Sequence, residues 1–281
     1  MALRPARKPR KPHCAQVIRT ERLTPHMQRV VLGGEGLADF AADTCTDHYV
    51  KMLFSPDGAS YPEPFDLERI REELPREQWP VTRTYTVRAW DPEHRELTLD
   101  FVLHGDEGLA GPWAMRAEPG ETVHFMGPGG AYAPDPDADW HLLVGDESAL
   151  PAIARSLESL PEGATAYAFV EISGPEEEQK IDSDVEVVWL HRGDRPVGER
   201  LVEAVRALQF PEGRLHAFVH GEAAFVKDLR KLLRVELQIP REDLSISGYW
   251  RLGHDEDGWQ AAKREWNARV EAEQEGAAPT A

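Results

Sequence analysis

The chain has 281 residues, enough for two domains with separate cores. Asp and Glu number 50 against 32 Lys and Arg, a formal charge of -18, which argues against a nucleic-acid binder built on a basic stripe. No apolar run approaches the roughly 18 residues of a membrane span, so no integral membrane segment is expected.

The N-terminal segment holds Arg4, Arg7, Lys8, Arg10 and Lys11 with no acidic residue. Such a segment can touch a membrane surface or RNA; the favoured reading is a disordered, solubilising tail over residues 1–14. No apolar stretch follows the basic residues, so it is not read as a secretory signal. Cys14 and Cys45 are too far apart for a Cys-x-x-Cys site and too few for a four-thiolate cluster. Both read as free thiols in a reducing cytoplasm.

From Ala15 to Leu32, apolar pairs flank Thr24-Pro25-His26 and predict one or two strands. His48–Phe54 predicts another, and Asp66–Ile70 a brief helix inside a polar excursion. Arg83–Trp90 and Glu96–Leu103 are the clearest strands, joined by a turn at Asp91–His94. Glu121–Phe125 follows, ended by Gly127-Pro128-Gly129-Gly130. This is a barrel-like count of strands. Tyr132–Asp139 reads as a linker or crossover. Beyond it, strands at His141–Val144, Ala164–Ile172, Val185–Leu190, Leu215–Val219 and Leu244–Tyr249 alternate with helices at Ala149–Leu160, Glu199–Leu208 and Ala223–Glu236. That order predicts a mostly parallel sheet with helices on both faces. Asp255–Glu275 predicts a terminal helix.

Three blocks carry chemistry. In Arg83-Thr84-Tyr85-Thr86 the strand period of two puts Arg83 and Tyr85 on one face. An arginine can grip a pyrophosphate, a tyrosine can lie against a flavin ring, and a threonine hydroxyl can tune the redox nitrogen. The same pair on a barrel strand can also simply snorkel and pack. Asp100-Phe101-Val102-Leu103-His104-Gly105 runs into a glycine-rich loop and Ala110-Gly111-Pro112-Trp113-Ala114, which can open a helix. Glycines let backbone N–H groups approach a phosphate, but a tight loop with Trp113 in the core fits equally well. His104 can face a phosphate or be an ordinary surface histidine.

These blocks, with Gly127–Gly130, Gly145-Asp-Glu-Ser-Ala-Leu-Pro151, Gly221-Glu-Ala223 and Gly248-Tyr-Trp-Arg251, resemble the siderophore-interacting protein family of FAD-dependent ferric-siderophore reductases. The resemblance spans roughly residues 15 to 255. Ser148 stands where that family more often has threonine, and the Cys-Gly nucleotide-side motif of ordinary ferredoxin reductases is missing. The resemblance implies a two-domain ferredoxin-reductase-like fold. An antiparallel Greek-key β-barrel over 15–135 would bind FAD, and an α/β parallel-sheet domain over 136–281 would resemble an NAD(P)H-binding domain with a C-terminal helix. It implies FAD contacts from Arg83, Thr84, Tyr85, Thr86, Asp100, Phe101, Val102, His104, Ala110, Gly111, Trp113 and Ala114.

For the electron donor, Gly145–Ser148 sits at a strand-to-helix junction but lacks the Gly-x-Gly-x-x-Gly fingerprint. The resemblance still implies a reductant site near Asp146, Glu147 and Ser148. Tyr249 or Trp250 can border the flavin or belong to the core. His191 and Arg192 can meet an adenine-ribose, or form a solvated turn. The donor reading leans to NADH, with NADPH and ferredoxin open. A ferric siderophore, often anionic, would need positive charge, and Lys227, Arg230 and Arg251 are nominated; Lys231 and Arg234 read as a solvated helix face. The histidines give no metal-ligand spacing, and no nucleophilic triad is expected. The protein is expected to be a cytoplasmic monomer.

Overall fold

Alternating apolar residues in the first half of the chain curl six strands into a closed barrel. The computed structural model describes residues 11–56, 58–105 and 108–276. The barrel strands are β1 (His13–Thr24), β2 (Met27–Gly33), β3 (Tyr49–Phe54), β4 (Val81–Asp91), β5 (Glu96–Val102) and β6 (Thr122–Gly129), in the order β1-β2-β5-β4-β3-β6. Val17, Val30, Leu32, Val87, Leu97, Leu99 and Phe101 point inward and fill it. Two short helices accompany the barrel, α1 (Leu67–Glu73) and α2 (Ala110–Arg116). Asp66 caps α1 by accepting from the backbone N–H of Glu68 and Arg69 at 3.0 and 3.1 Å.

Two sequence expectations change here. The tail expected over 1–14 falls mostly outside the described residues, and His13 and Cys14 already belong to β1, paired with Phe125 and His124. The strand expected to stop before Gly127 instead continues to Gly129, which pairs with Tyr49. Gly129 permits this because a Cβ there would lie 2.4 Å from the Tyr49 ring. Glycine at this point is a packing requirement rather than a stop signal.

The second half forms a five-stranded parallel sheet of β7 (Trp140–Asp146), β8 (Ala166–Ile172), β9 (Val187–His191), β10 (Leu215–Glu222) and β11 (Leu244–Trp250), in the order β11-β10-β7-β8-β9. Leu142 and Val144 face α4 (Glu199–Ala207) and α5 (Ala223–Lys231), whereas Leu143 faces α3 (Leu150–Ser159). Helices therefore cover both faces, and the strands read as continuous apolar runs. The helix expected over 223–236 is α-helical only to Lys231 and widens to a π-helical turn over Leu232–Glu236. A long helix α6 (Glu256–Glu275) ends the described chain.

By density of contacts the chain divides into two units. One gathers the chain up to Glu21 with 28–42 and 49–129; the other gathers 22–27, 43–48 and everything from Gly130 onward. Among the described residues, no helix is long and apolar enough to cross a membrane.

Candidate functional site

In the barrel unit, β4 presents Arg83 and Tyr85 on one face. The Tyr85 ring sits 4.1 Å from Phe101, tilted by 37°. Phe101 is fully buried and lies 5.5 Å from Trp113, which meets Phe54 at 5.7 Å. The indole N–H of Trp113 donates to Glu121 at 2.7 Å. This aromatic chain fixes Tyr85 and α2 to one rigid wall. Arg83 is half-buried and donates to the Thr82 carbonyl at 2.8 Å. Thr84 is exposed, Thr86 buried, and His104 exposed at the mouth of the glycine loop. Gly105 and Gly108 both have positive φ, at 65° and 83°.

In the second unit, the carboxyl ends of the strands converge on Asp146. Its side chain is wholly buried. One oxygen accepts from the Ser148 N–H at 3.0 Å and the Ser148 hydroxyl at 2.5 Å. The other accepts from the Glu222 N–H and the Trp250 indole N–H, both at 2.8 Å. Glu222 in turn caps α5 through the Ala224 N–H and accepts from the Leu252 N–H at 3.2 Å. Gly145 and Gly221 are required here: a Cβ on Gly145 would meet the His220 carbonyl at 2.7 Å, and one on Gly221 would meet the Asp146 carboxyl at 2.7 Å. From β7 the chain runs to β8 and β9 on one side and returns to β10 and β11 on the other. The Asp146 cluster therefore lies at the topological switch point, where doubly wound sheets bind ligands.

His220, on β10, is buried beside this cluster. Its ring stacks on Phe218 at 3.8 Å and meets the Tyr249 ring edge-on at 4.9 Å. Its Nε2 lies 2.9 Å from the Ser245 hydroxyl, while Nδ1 is buried with no partner among the described residues.

Residues 16–132 match the family described as a siderophore-interacting FAD-binding domain, and residues 138–253 match the family described as siderophore-interacting protein. The chain belongs to the siderophore-interacting protein family. Ferric vibriobactin reductase of Vibrio cholerae is 35% identical, over 88% of this chain and 92% of that protein. An NADPH-dependent ferric-chelate reductase of Escherichia coli is 32% identical, over 83% of this chain and 91% of its own length. The crystal structure of a siderophore utilization protein from T. fusca superposes with a TM-score of 0.76 at 35% identity, covering 88% of this chain and 95% of that one. The fold is thus ferredoxin-reductase-like, as the sequence resemblance implies.

The barrel of this siderophore-interacting protein fits an FAD. Gly111 occupies the first turn of α2, and a Cβ there would meet nothing nearer than the Val102 carbonyl at 3.7 Å among the described residues. Its φ is not positive, so neither backbone conformation nor protein packing asks for glycine. The α2 N-terminus has no side-chain cap and no acidic residue in its first turn. Arg83 supplies a cation and Tyr85 a braced ring.

Some nominated residues have other tasks. The Asp100 carboxylate is gripped by Arg29 through two bonds of 2.7 and 2.8 Å, and so braces β2 against β5. Phe101, Trp113, Ala110 and Ala114 are buried in the barrel core; Phe101 and Trp113 act from beneath, through Tyr85 and α2. Val102 is half-buried. Asp146 and Ser148 come together with Trp250 as expected of neighbours, but their polar atoms serve one another.

The cations nominated on α5 have partners on α6. Lys227 donates to Glu273 at 2.7 Å, and Arg230 donates to Gln274 and to Glu275, the latter at 2.7 Å. Lys227 and Arg230 of α5 thus help to seat α6. Lys231 is exposed, whereas Arg234 donates to the Ile239 carbonyl at 2.6 Å. Arg251 is half-buried in the turn after β11. Sequence reading missed the roles of Arg29, Glu222, His220 and Glu171. Glu222 alone had a local signal, as the residue between a strand and a helix, but glutamate is not a favoured cap.

His220 and Asp146 give this unit opposite responses to pH. Burial, with Lys263 adding to it, pushes His220 down from 6.5 to about 3. The unfolded chain then binds the extra proton, so the stability His220 contributes at neutral pH is lost as pH falls from 6.5 toward about 3. Burial, reinforced by Glu147, pushes Asp146 up from 3.8 to about 6. Here the folded chain holds the extra proton, and stability declines as pH rises from 3.8 to about 6. His220→Phe keeps the stack on Phe218 and removes the titration. Denaturant midpoints measured from about pH 7 to pH 5 should fall less steeply for this variant than for the natural chain; equal slopes would show that His220 is not held neutral.

Proposed function

We propose that this protein is an FAD-dependent ferric-siderophore reductase of the cytoplasm, drawing electrons from a reduced nicotinamide nucleotide. The observation that carries the reading is Gly111: a helical glycine that neither its backbone angle nor packing within the protein requires, on the same short helix as Trp113, which braces Tyr85 through Phe101. In this reading Arg83 donates charge-assisted hydrogen bonds to the pyrophosphate. Gly111 lets the α2 backbone approach it, Tyr85 orients the ring system, and Thr86 places a hydroxyl at its reactive edge. Bound FAD would accept electrons in pairs and release them singly to chelated Fe(III), which is the substrate. The loop Gly145–Ser148, held rigid by Asp146 at the switch point, receives the nicotinamide nucleotide.

Two relatives support the reaction class by what they are named for, reduction of ferric vibriobactin and of ferric chelates. Cys14 and Cys45 are free, as befits a reducing compartment. The test is anaerobic. FAD-loaded protein is mixed with NADH, NADPH or reduced ferredoxin, and then with a ferric siderophore and an Fe(II) trap. Bleaching of the flavin band by a nicotinamide nucleotide, followed by trapped Fe(II), is expected. Flavin reduction with no Fe(II) from any ferric siderophore would assign the chain to another acceptor.

A further inference from the structure

Three charged residues meet at the carboxyl ends of β7, β8 and β9, which are adjacent in the sheet. Glu147 directly follows β7, Glu171 is the penultimate residue of β8, and Arg192 directly follows β9. Arg192 donates to Glu147 at 2.6 and 3.3 Å and to Glu171 at 3.4 Å. In a doubly wound sheet this edge faces the adenosine half of a bound dinucleotide, and the charge found there decides whether a 2'-hydroxyl or a 2'-phosphate is accepted.

We propose that Glu147 makes this protein select NADH over NADPH, by holding Arg192 against itself and Glu171. The inference rests on the nicotinamide reading above and adds the choice between the two nucleotides.

Arg192 is the residue that would suit a 2'-phosphate, and both ends of its guanidinium are already occupied by carboxylate. Two carboxylates face one cation, so the cluster is net negative before any ligand arrives. Glu171 is buried, accepts from the Gly198 N–H at 2.7 Å, and has one oxygen with no partner among the described residues. Its charge is therefore compensated by little besides Arg192. A 2'-phosphate brings up to about two negative charges and no donor. To be bound it must strip Arg192 from Glu147 and leave carboxylates beside it unpaired. A ribose 2'-hydroxyl is a donor, and the half-buried Glu147 carboxylate can accept from it without surrendering Arg192.

The test is calorimetric titration of the FAD-loaded protein with ADP-ribose and with 2'-phospho-ADP-ribose. ADP-ribose should bind at least about tenfold more tightly. Glu147→Gln should release Arg192 and improve binding of the 2'-phosphorylated nucleotide by about tenfold. Arg192→Gln should leave the natural preference in place, because the natural chain does not spend Arg192 on phosphate. A natural preference for the 2'-phosphorylated nucleotide that Arg192→Gln abolishes would overturn the proposal while leaving the nicotinamide reading intact. Binding of neither nucleotide would remove the nicotinamide reading itself, and the proposal with it.

Discussion

Replacing Asp146 with alanine is expected to lower the unfolding free energy at neutral pH by about 3–5 kcal/mol. The residue is wholly buried and accepts from four donors contributed by Ser148, Glu222 and Trp250. Ser148 lies near the surface and can turn to water. The Glu222 N–H is buried, and both it and the Trp250 indole N–H would lose their acceptor. A buried donor left without a partner costs about 1–3 kcal/mol each. One effect opposes this loss. Burial already holds the Asp146 carboxyl up at about 6, so removing the charge relieves some desolvation. We expect the lost hydrogen bonds to dominate, because Asp146 at the end of β7 is the shared acceptor for donors from the turn after β7, from β10 and from β11. Asp146→Asn should cost less than alanine, since one oxygen remains, but its amide group would face a donor. Urea unfolding of the three proteins at neutral pH measures both effects. A loss below about 1 kcal/mol for the alanine variant would mean that water or a rearranged strand end satisfies these donors.

Gly111→Ala is expected to move two observables in opposite directions. The nearest protein atoms to the new methyl group would be 3.7 and 3.8 Å away, which is ordinary contact. Alanine is also favoured over glycine in a helix by up to about 1 kcal/mol. The FAD-free chain should therefore be as stable as before, or more so. Affinity for FAD should nevertheless fall by about tenfold or more, because the methyl group stands where a pyrophosphate approaches the backbone. Arg83→Ala should weaken FAD by about 10- to 100-fold through loss of a charge-assisted hydrogen bond. Fluorescence titration with FAD, beside thermal unfolding of the FAD-free proteins, separates the two quantities. If Gly111→Ala left affinity unchanged, the space above α2 would not be the pyrophosphate site.

Local pattern and long-range partnership divided what could be read in the sequence. The helix expected over Ala149–Leu160 is α3, Leu150–Ser159, and the strand expected over Arg83–Trp90 lies within β4. In both, the residues that set the period are neighbours in the chain. The Arg83–Thr86 and Gly111–Ala114 blocks were legible for a related reason. Each is a short segment whose chemistry is complete within a few residues. The bracing beneath them was less so: a core position for Trp113 was one of two readings, and only packing reveals Phe101 and Trp113 as the wall behind Tyr85.

Charge shows the same limit. The spacing of Lys227, Arg230 and Lys231 identified a cationic stripe on α5 but could not say what covers it. The partners of Lys227 and Arg230 lie about a sixth of the chain away; Lys227 and Glu273 are 46 residues apart. Asp146 and Trp250 are separated by 104 residues. The sequence therefore did not show that Asp146 also ties three strand ends together. Gly129 misled for a steric reason. Glycine normally ends a strand, but here it makes room for a tyrosine ring.

The most direct test is a crystal structure of the protein grown with FAD. The pyrophosphate is expected within hydrogen-bond distance of Arg83 and against the backbone at Gly111, with the isoalloxazine against Tyr85. An FAD bound elsewhere on the chain, with Arg83 and Gly111 facing only solvent, would contradict it.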